Sequence, residues 1–222
     1  IIVITDDQGY GDIGFNGNPH LITPNLDKFA GESIRFNNFN VSPVCAPTRS
    51  SLLTGRYSLR TGVTDTYNGG AIMSSTEITL AEIFNENNYK TGIFGKWHLG
   101  DNYPSRPSDQ GFKESLIHLS GGIGQVGDFT NYYKGATSYY DPILWLNNKQ
   151  KKYNGYCSDI FTDEAIKFIE NNKDSPFFCY LSFNAPHTPL QVPEKYYQMY
   201  KDIDPTNING EILNMSEKNI LD

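Results

Sequence analysis

One short segment carries a cysteine and an arginine at a spacing suited to chemistry on an anion. Residues 43–55 read Pro-Val-Cys-Ala-Pro-Thr-Arg-Ser-Ser-Leu-Leu-Thr-Gly, and this pattern predicts a helix over 47–54 that starts near Cys45. The free N–H groups of its first turn favour an anion at that position. Arg49, one turn further on the same face, can donate charge-assisted hydrogen bonds to oxygen ligands. The alternative is a buried structural cysteine beside a surface arginine.

Two adjacent carboxylates directly follow the first predicted strand. Ile1–Thr5 is a β-branched run typical of a buried strand, and Asp6 and Asp7 come next. Sites in open α/β sheets form beyond the carboxyl ends of the strands, and neighbouring carboxylates repel each other unless a cation lies between them. The pair is therefore either a metal site or two loop carboxylates that cap nearby amides.

Two further strand ends carry basic or titratable side chains. Lys96 and His98 follow the predicted strand 89–94 within Gly-Lys-Trp-His-Leu-Gly, and they face the same way if that strand continues. His187 follows the predicted strand 176–183 within Asn-Ala-Pro-His-Thr-Pro. Either these side chains meet at one edge of a sheet, or they are ordinary polar residues at strand ends.

Together these segments resemble the type I sulfatases of the alkaline phosphatase-like superfamily, which use formylglycine as nucleophile. Cys-x-Pro-x-Arg with the Leu-Leu-Thr-Gly that follows resembles the first signature of the family, the segment around Lys96 and His98 resembles the second, and Ala-Pro-His-Thr-Pro resembles a third. The resemblance covers nearly all of residues 1–200. The second segment departs from the family at Asn88 and Phe94, where glycine and a small or aliphatic residue are usual.

This resemblance implies a nucleophile and a metal. Asp6, Asp7 and Cys45 would form a Ca²⁺ site, and a formylglycine-generating maturation enzyme would oxidise Cys45 to an aldehyde. One hydroxyl of the hydrated aldehyde, activated by Ca²⁺, would attack sulfur and expel the alcohol. The second would then lose its proton, and sulfate would leave by C–O cleavage. The expected substrate is a sulfate monoester of an aryl alcohol or a carbohydrate.

The same resemblance implies roles for the groups around the substrate. Arg49 and Lys96 would hold the formylglycine and the sulfate oxygens, where positive charge stabilises the transition state. His98 would hydrogen-bond the formylglycine hydrate and act as base. Lys96 and His187 would contact the sulfate, and His187 would also assist the leaving group. Ser120 would match a serine that supports the formylglycine.

The order of predicted elements indicates an α/β fold with a mostly parallel central sheet and helices on both faces. A helix over 24–31 and a strand over 34–41 follow the first strand as a βαβ unit. A capping box at Thr79 and Glu82 opens a helix to about residue 87.

Later segments predict long loops, a hairpin and one more helix. Residues 103–141 are rich in Gly, Ser, Tyr and Pro and are predicted to form long loops. Residues 143–146 and 150–153 predict a hairpin, and residues 159–171 predict an amphipathic helix.

The chain is expected to contain an incomplete catalytic domain. Residues 1–200 would be its N-terminal part, and the polar tail 201–222 would lead to an absent C-terminal portion, because the family's later metal ligands and second lysine have no counterpart after His187. The chain begins inside a predicted strand, so upstream residues are expected to have been removed or left out. By resemblance, the protein would be periplasmic or secreted.

Composition limits the partners. The net charge of −7, from 18 basic and 25 acidic residues, argues against nucleic-acid binding, and no apolar run is long enough to span a membrane. Cys157 and Cys179 are expected to be buried hydrophobic residues, and His20 and His118 to be structural.

Two other functions stay open at this point. A phosphonate or phosphate ester hydrolase of the same superfamily would be distinguished by assays of both ester types. A non-catalytic protein that binds sulfated glycans would keep Cys45 as a thiol.

Overall fold

The computed structural model describes residues 1–203, which divide into two compact units. The first unit contains residues 1–7 and 41–191, and the second contains residues 8–40 and the segment from residue 192 onward. The polar tail predicted over 201–222 lies outside the described residues except for its first three positions.

The elements of the described chain follow one another in a mixed order of strands and helices. In chain order they are β1 (Ile2–Asp6), α1 (Pro24–Gly31), α2 (Cys45–Thr54), α3 (Ser58–Thr61), α4 (Leu80–Glu86), β2 (Lys90–Lys96), β3 (Glu114–His118), β4 (Ile143–Leu146), β5 (Lys149–Lys152), α5 (Cys157–Asn172), β6 (Phe177–Pro186) and α6 (Glu194–Tyr200). Helices α1 and α6 belong to the second unit, and the other elements belong to the first. None of the helices within residues 1–203 is long and apolar enough to cross a membrane.

The sheet of the first unit is mostly parallel. Its six strands are arranged in the order β1-β6-β2-β3-β4-β5. The first four of these run parallel to one another, and β4 and β5 form an antiparallel hairpin beside β3. The carboxyl ends of β1, β6, β2 and β3 therefore meet at one edge of the sheet, where α/β proteins form their sites.

Successive residues of the central strands belong to two different hydrophobic cores. Ile93 of β2 packs in a core with Leu53 of α2 and Ala81 of α4. The next residue, Phe94, packs in a core with Phe161 of α5. Because successive side chains of a strand point to opposite faces of the sheet, the helices cover both faces, as the sequence predicts.

The helix predictions are confirmed. Thr79 Oγ1 accepts from the Glu82 backbone N–H at 3.2 Å and Glu82 Oε2 accepts from the Thr79 N–H at 2.8 Å, so the capping box is formed. Helix α2 starts at Cys45 and ends before Gly55, which has a φ of 67°. Such a left-handed conformation is easily adopted by glycine.

The predicted strand over 34–41 is wrong, and with it the βαβ unit. Residues 34–41 form no strand, and a turn at Asn37 and Asn38 interrupts them. Apolar side chains of this segment are exposed, as for Ile34 and Phe36. Strand β1 pairs instead with β6. Alternation of apolar residues produces a strand only where a partner strand is available for its backbone groups.

The prediction of long loops over 103–141 is partly wrong, because β3 lies within this range. Strand β3 pairs with β2 on one side and with β4 on the other. Its sequence, Glu-Ser-Leu-Ile-His, is too short and polar to reveal a strand without those neighbours. His118 at its end is buried, and Cys157 and Cys179 are buried free thiols, as expected.

Candidate active site

The carboxyl edge of the sheet brings most of the predicted site residues together. Asp6 is the last residue of β1, Lys96 is the last residue of β2, and His187 directly follows β6. Cys45 is the first residue of α2, and His98 contacts its side chain. The parallel arrangement of β1, β6 and β2 thus collects residues that are far apart in the chain.

A buried carboxylate lies between two buried cations. Asp6 Oδ2 accepts a hydrogen bond from Lys96 Nζ at 2.6 Å, and Asp6 Oδ1 lies 3.3 Å from Arg49 Nη2. The side chains of Arg49 and Lys96 are 1% and 0% exposed. Two cations against one carboxylate leave a net positive charge in a region from which water is largely excluded.

Hydrogen bonds fix the Arg49 guanidinium on one side, while donors on its other side have no hydrogen-bond partner within residues 1–203. Its Nη1 donates to the Lys96 backbone carbonyl at 3.1 Å and to Ser182 Oγ, which itself donates to the same carbonyl at 2.8 Å. Its Nε has no hydrogen-bond partner among the described residues, and its Nη2 has only the ion pair with Asp6. Buried donors without partners are costly, so this side of the guanidinium is suited to an anion.

Burial and charge shift the pKa values of this cluster. Burial raises the pKa of Asp6, but the charges of Arg49 and Lys96 outweigh it, so the net shift is downward and the carboxylate is ionised. Burial, and then the Arg49 charge, lower the pKa of Lys96, while Asp6 partly opposes this change.

The side chains of Cys45 and His98 are in hydrogen-bond contact. Cys45 Sγ lies 3.2 Å from His98 Nδ1, and His98 Nε2 lies 2.9 Å from the Thr66 carbonyl oxygen. A carbonyl can only accept, so Nε2 carries the proton and Nδ1 presents its lone pair to the group at position 45. A nucleophile, a base and a group that orients the base are the arrangement needed for nucleophilic catalysis.

His98 is held in place as a neutral imidazole. Burial, and then the Lys96 charge, lower its pKa to about 4. Its backbone N–H donates to the Leu119 carbonyl at 2.9 Å, and Gly121 lies against its ring, where an added Cβ would come within 2.9 Å of Nε2. The strand does not continue through His98, since β2 ends at Lys96 and His98 has a φ of 60°.

Asp7 and His187 adjoin this cluster. His187 Nε2 lies 3.6 Å from Asp7 Oδ2, and Asp7 is exposed. His187 Nδ1 donates to the Thr188 carbonyl at 2.6 Å, and the buried Tyr139 hydroxyl donates to the His187 carbonyl at 2.6 Å. The Nε2 atom of His187 is thereby directed away from its own backbone.

Ser120 does not hydrogen-bond to the cluster. Its hydroxyl donates to the Gly122 carbonyl at 3.1 Å, in the turn that places Gly121 against His98. Its predicted contact with the residue at position 45 therefore stays a prediction.

Asp6 and Asp7 have the chemistry to bind a hard cation, but the described residues supply too few ligands for one. No group of three or more His, Cys, Asp or Glu residues within residues 1–203 is arranged to hold a metal ion. Asp6 and Asp7 offer carboxylate oxygens, the atoms that Ca²⁺ prefers, but Ca²⁺ takes six to eight oxygen ligands. The described residues therefore supply part of such a donor set.

Sequence reasoning missed the residues that hold this site. Ser182 fixes Arg49, Thr66 fixes the tautomer of His98, and Tyr139 fixes the His187 backbone. Only the pattern of β6 places Ser182 on a face of the sheet; Thr66 and Tyr139 lie in segments without a recognisable pattern.

Comparisons with known proteins find similarity along almost the whole chain. The sulfatase family model matches residues 1–218. Arylsulfatase G of Canis lupus familiaris is 44% identical over 216 residues, which covers 86% of this chain and 40% of that protein. N-acetylglucosamine-6-O-sulfatase of Bacteroides thetaiotaomicron is 37% identical over 216 residues, which covers 94% of this chain and 34% of that protein. The crystal structure of Ps i-CgsB in complex with k-i-k-neocarrahexaose superposes with a TM-score of 0.80 at 32% identity, covering 98% of this chain and 54% of that one.

The fold and the match over almost the whole chain define the class: an α/β protein of the alkaline phosphatase-like type. The chain belongs to the sulfatase family. It spans 34 to 45% of the length of the curated relatives it matches.

Proposed function

We propose that the protein hydrolyses sulfate monoesters of aryl alcohols or carbohydrates, with the side chain at position 45 as nucleophile after its oxidation to formylglycine. The observation that carries this proposal is the contact of 3.2 Å between Cys45 Sγ and the unprotonated Nδ1 of His98. Membership of the sulfatase family supports the reaction class. The names of the relatives, which include an arylsulfatase and a carbohydrate sulfatase, support both kinds of alcohol.

Some residues of this chain would bind the charged sulfate, and others would take part in proton transfer. Arg49 Nε and Nη2 and the Lys96 ammonium would bind the sulfate oxygens and stabilise the charge that grows on them. His98, which is neutral at neutral pH, would accept a proton from the nucleophile through Nδ1. His187 Nε2 would face the sulfate and assist the departing alcohol.

Formylglycine and Ca²⁺ belong to this proposal. When formed, formylglycine supplies a hydrated aldehyde as nucleophile in place of the thiol, and bound Ca²⁺ supplies positive charge beside it. Asp6, Asp7 and the oxygen at position 45 would hold the ion together with ligands outside the described residues. The ionised state of the Asp6 carboxylate supports this assignment.

The proposed partners are a formylglycine-generating maturation enzyme and a sulfate ester substrate, and the proposed location is periplasmic or secreted. The other two thiols suit an oxidising compartment, because burial raises the pKa of Cys157 to about 12 and that of Cys179 to about 11. Buried thiols with raised pKa values are unreactive. Fractionation of the native host would test the location.

Mass spectrometry and two assays test the function. Protein from its native host is digested with trypsin, and peptide 36–49, which contains Cys45, is expected to show an aldehyde. The protein is then assayed with an aryl sulfate and with matched phosphate and phosphonate esters. Cys45→Ala is expected to abolish sulfate release, whereas the matched control Cys179→Ala retains it.

Each contrary outcome has a definite meaning. A thiol at Cys45, in a host shown to mature other sulfatases, would contradict the proposal and favour the binding of sulfated glycans without catalysis. Faster hydrolysis of the phosphate or phosphonate ester would assign the protein to that reaction instead.

A further inference from the structure

A pocket lies next to the cluster around His98. Its volume is about 160 Å³. Its walls include Asp101, Asn102, Ser120, Asp128, Phe129 and Trp145. Ligand pockets of proteins combine apolar walls with a few convergent polar groups, and this pocket has both.

The two segments that hold His98 also form the walls of this pocket. Asp101 lies three residues after His98, and Leu119, whose carbonyl accepts the His98 N–H, lines the pocket as well. Ser120 follows in the wall, and Gly121 contacts the His98 ring. The pocket therefore shares its supporting segments with the proposed site of sulfate ester cleavage.

Asp101 has a carboxylate that the rest of the described protein does not use. This half-buried side chain makes no hydrogen bond or ion pair with any residue of 1–203, and its main electrostatic neighbour is another acid, Asp128. Burial, and then the Asp128 charge, raise its pKa. A carboxylate kept in an unfavourable position is typical of a residue that serves a ligand at the expense of stability.

Hydrogen-bond donors of the protein occupy the acceptor positions of Asp128, which argues against a cation site in this pocket. Its Oδ1 accepts from the Thr130 N–H and hydroxyl at 3.1 and 2.7 Å. Its Oδ2 accepts from the Gly124 N–H and the Asn131 amide at 2.7 and 3.1 Å. Four donors occupy the four acceptor positions of the carboxylate. Asp101 is therefore the acidic wall residue with acceptor positions still available.

An exposed aromatic ring completes the pocket. Phe129 is 90% exposed, yet it directly follows the fixed Asp128 and lines the pocket together with Trp145. An aromatic ring offers a large apolar surface at low cost in side-chain entropy. A sugar ring needs such a combination, with an apolar surface for its C–H face and acceptors for its hydroxyl groups.

We propose that this pocket binds the neutral sugar ring of a carbohydrate sulfate, with Asp101 accepting hydroxyl hydrogen bonds and Phe129 packing against the ring. This inference rests on the proposed function and specifies its substrate class. The two carboxylates repel a second anionic group, so the preferred sugar carries no additional sulfate or carboxylate within the pocket.

The test compares sugar and aryl substrates in the complete, matured protein. The value of kcat/KM is measured for N-acetylglucosamine 6-sulfate, galactose 6-sulfate and 4-nitrophenyl sulfate, in the wild type and in Asp101→Ala, Phe129→Ala and Tyr133→Ala. Tyr133 is an exposed aromatic residue of the same loop that does not line the pocket. We expect the sugar-to-aryl ratio to fall about ten-fold or more in the two pocket variants, and less than two-fold in Tyr133→Ala.

Two additional measurements distinguish a binding role from a structural one and from failure of the proposed function. Binding of both sugar sulfates is measured by calorimetry in a Cys45→Ala background, where no turnover is needed, and is expected to weaken about ten-fold in the pocket variants. The thermal midpoint of Asp101→Ala is expected to equal or exceed that of the wild type, because a repulsion is removed.

The inference is overturned if neither sugar sulfate binds, if the pocket variants bind as the wild type does, or if Asp101→Ala is destabilised. Failure of the wild type to hydrolyse any sulfate ester would overturn the proposed function instead, and the calorimetric result would still decide the pocket. A wild-type preference for glucosamine-2-N,6-O-disulfate over the two monosulfated sugars would contradict the neutral-ring assignment.

Discussion

The substitution Gly95→Ala, which adds a single methyl group, tests how the sheet positions the site. Gly95 has a φ of 120° and is paired with Ser182 of β6. A Cβ atom there would lie 1.7 Å from the Ser182 carbonyl oxygen, whereas a carbon and an oxygen in contact are normally about 3.3 Å apart. In Gly95→Ala, strands β2 and β6 must therefore separate, which displaces the neighbouring Lys96 from Ser182 and Arg49.

The expected cost combines two terms. A residue held in a sparsely populated conformation costs about 1–3 kcal/mol, and overpacking typically costs about 1–3 kcal/mol more. We therefore expect Gly95→Ala to lower the free energy of unfolding by about 4 kcal/mol, a large part of the roughly 5–15 kcal/mol available to a folded protein.

Urea unfolding followed by tryptophan fluorescence measures this cost, since Trp97 is buried beside Lys96. Gly62→Ala is the matched control, because Gly62 also has a positive φ, 77°, but an added Cβ would have no neighbour within 4 Å. The control should lose only about 1–2 kcal/mol, from conformational strain. If the two variants differ by less than about 1 kcal/mol, the clash with Ser182 is not what sets the geometry of the site.

Three further substitutions test individual contacts. Arg49→Lys keeps the charge but loses the planar group that reaches both Asp6 and the Lys96 carbonyl, so we expect kcat/KM for sulfate esters to fall roughly 10²–10³-fold; activity within ten-fold of the wild type would contradict this. Tyr139→Phe leaves the His187 carbonyl without its buried donor and should cost about 1–3 kcal/mol in urea unfolding, a loss that a change below about 0.5 kcal/mol would refute. His118 is buried, and burial followed by the Lys96 charge lowers its pKa well below 6.5, so the unfolded chain binds a proton that the folded chain does not as the pH falls below 6.5. The contribution of His118 to stability should therefore fall by up to about 1.4 kcal/mol per pH unit below that value, and His118→Leu should show a shallower acid slope in unfolding experiments between pH 6.5 and 5.

Much of the site could be predicted because its residues follow strands. Asp6, Lys96 and His187 each stand at or just after a strand end, and parallel strands place those ends at one edge. The contacts between them could not be predicted in the same way. Ser182 bonds to Arg49 only because β6 lies between β1 and β2 in the sheet, and strand order depends on long-range packing that no local pattern encodes.

The errors in predicting the fold also arise because strand pairing depends on long-range packing. Residues 34–41 contain four apolar side chains but do not pair, whereas β3 carries little strand signal and is buried between β2 and β4. The strand pattern could not predict the placement of His98 either. Its ring faces Cys45 because Leu119 and Thr66 hold it after β2 has ended, not because the strand continues.

The backbone and the side chain of Lys96 bind different partners in the site. The backbone carbonyl accepts from Arg49 and Ser182, while the ammonium group pairs with Asp6. The position of Arg49 therefore depends on where β2 runs and not on the identity of the side chain at position 96. Lys96→Met should remove one of the two buried cations and leave Arg49 in place, whereas Gly95→Ala should displace both. Loss of sulfate binding in Lys96→Met, with Arg49 still in its wild-type position, would assign the ammonium an electrostatic role, and displacement of Arg49 in that variant would show that the side chain also positions it.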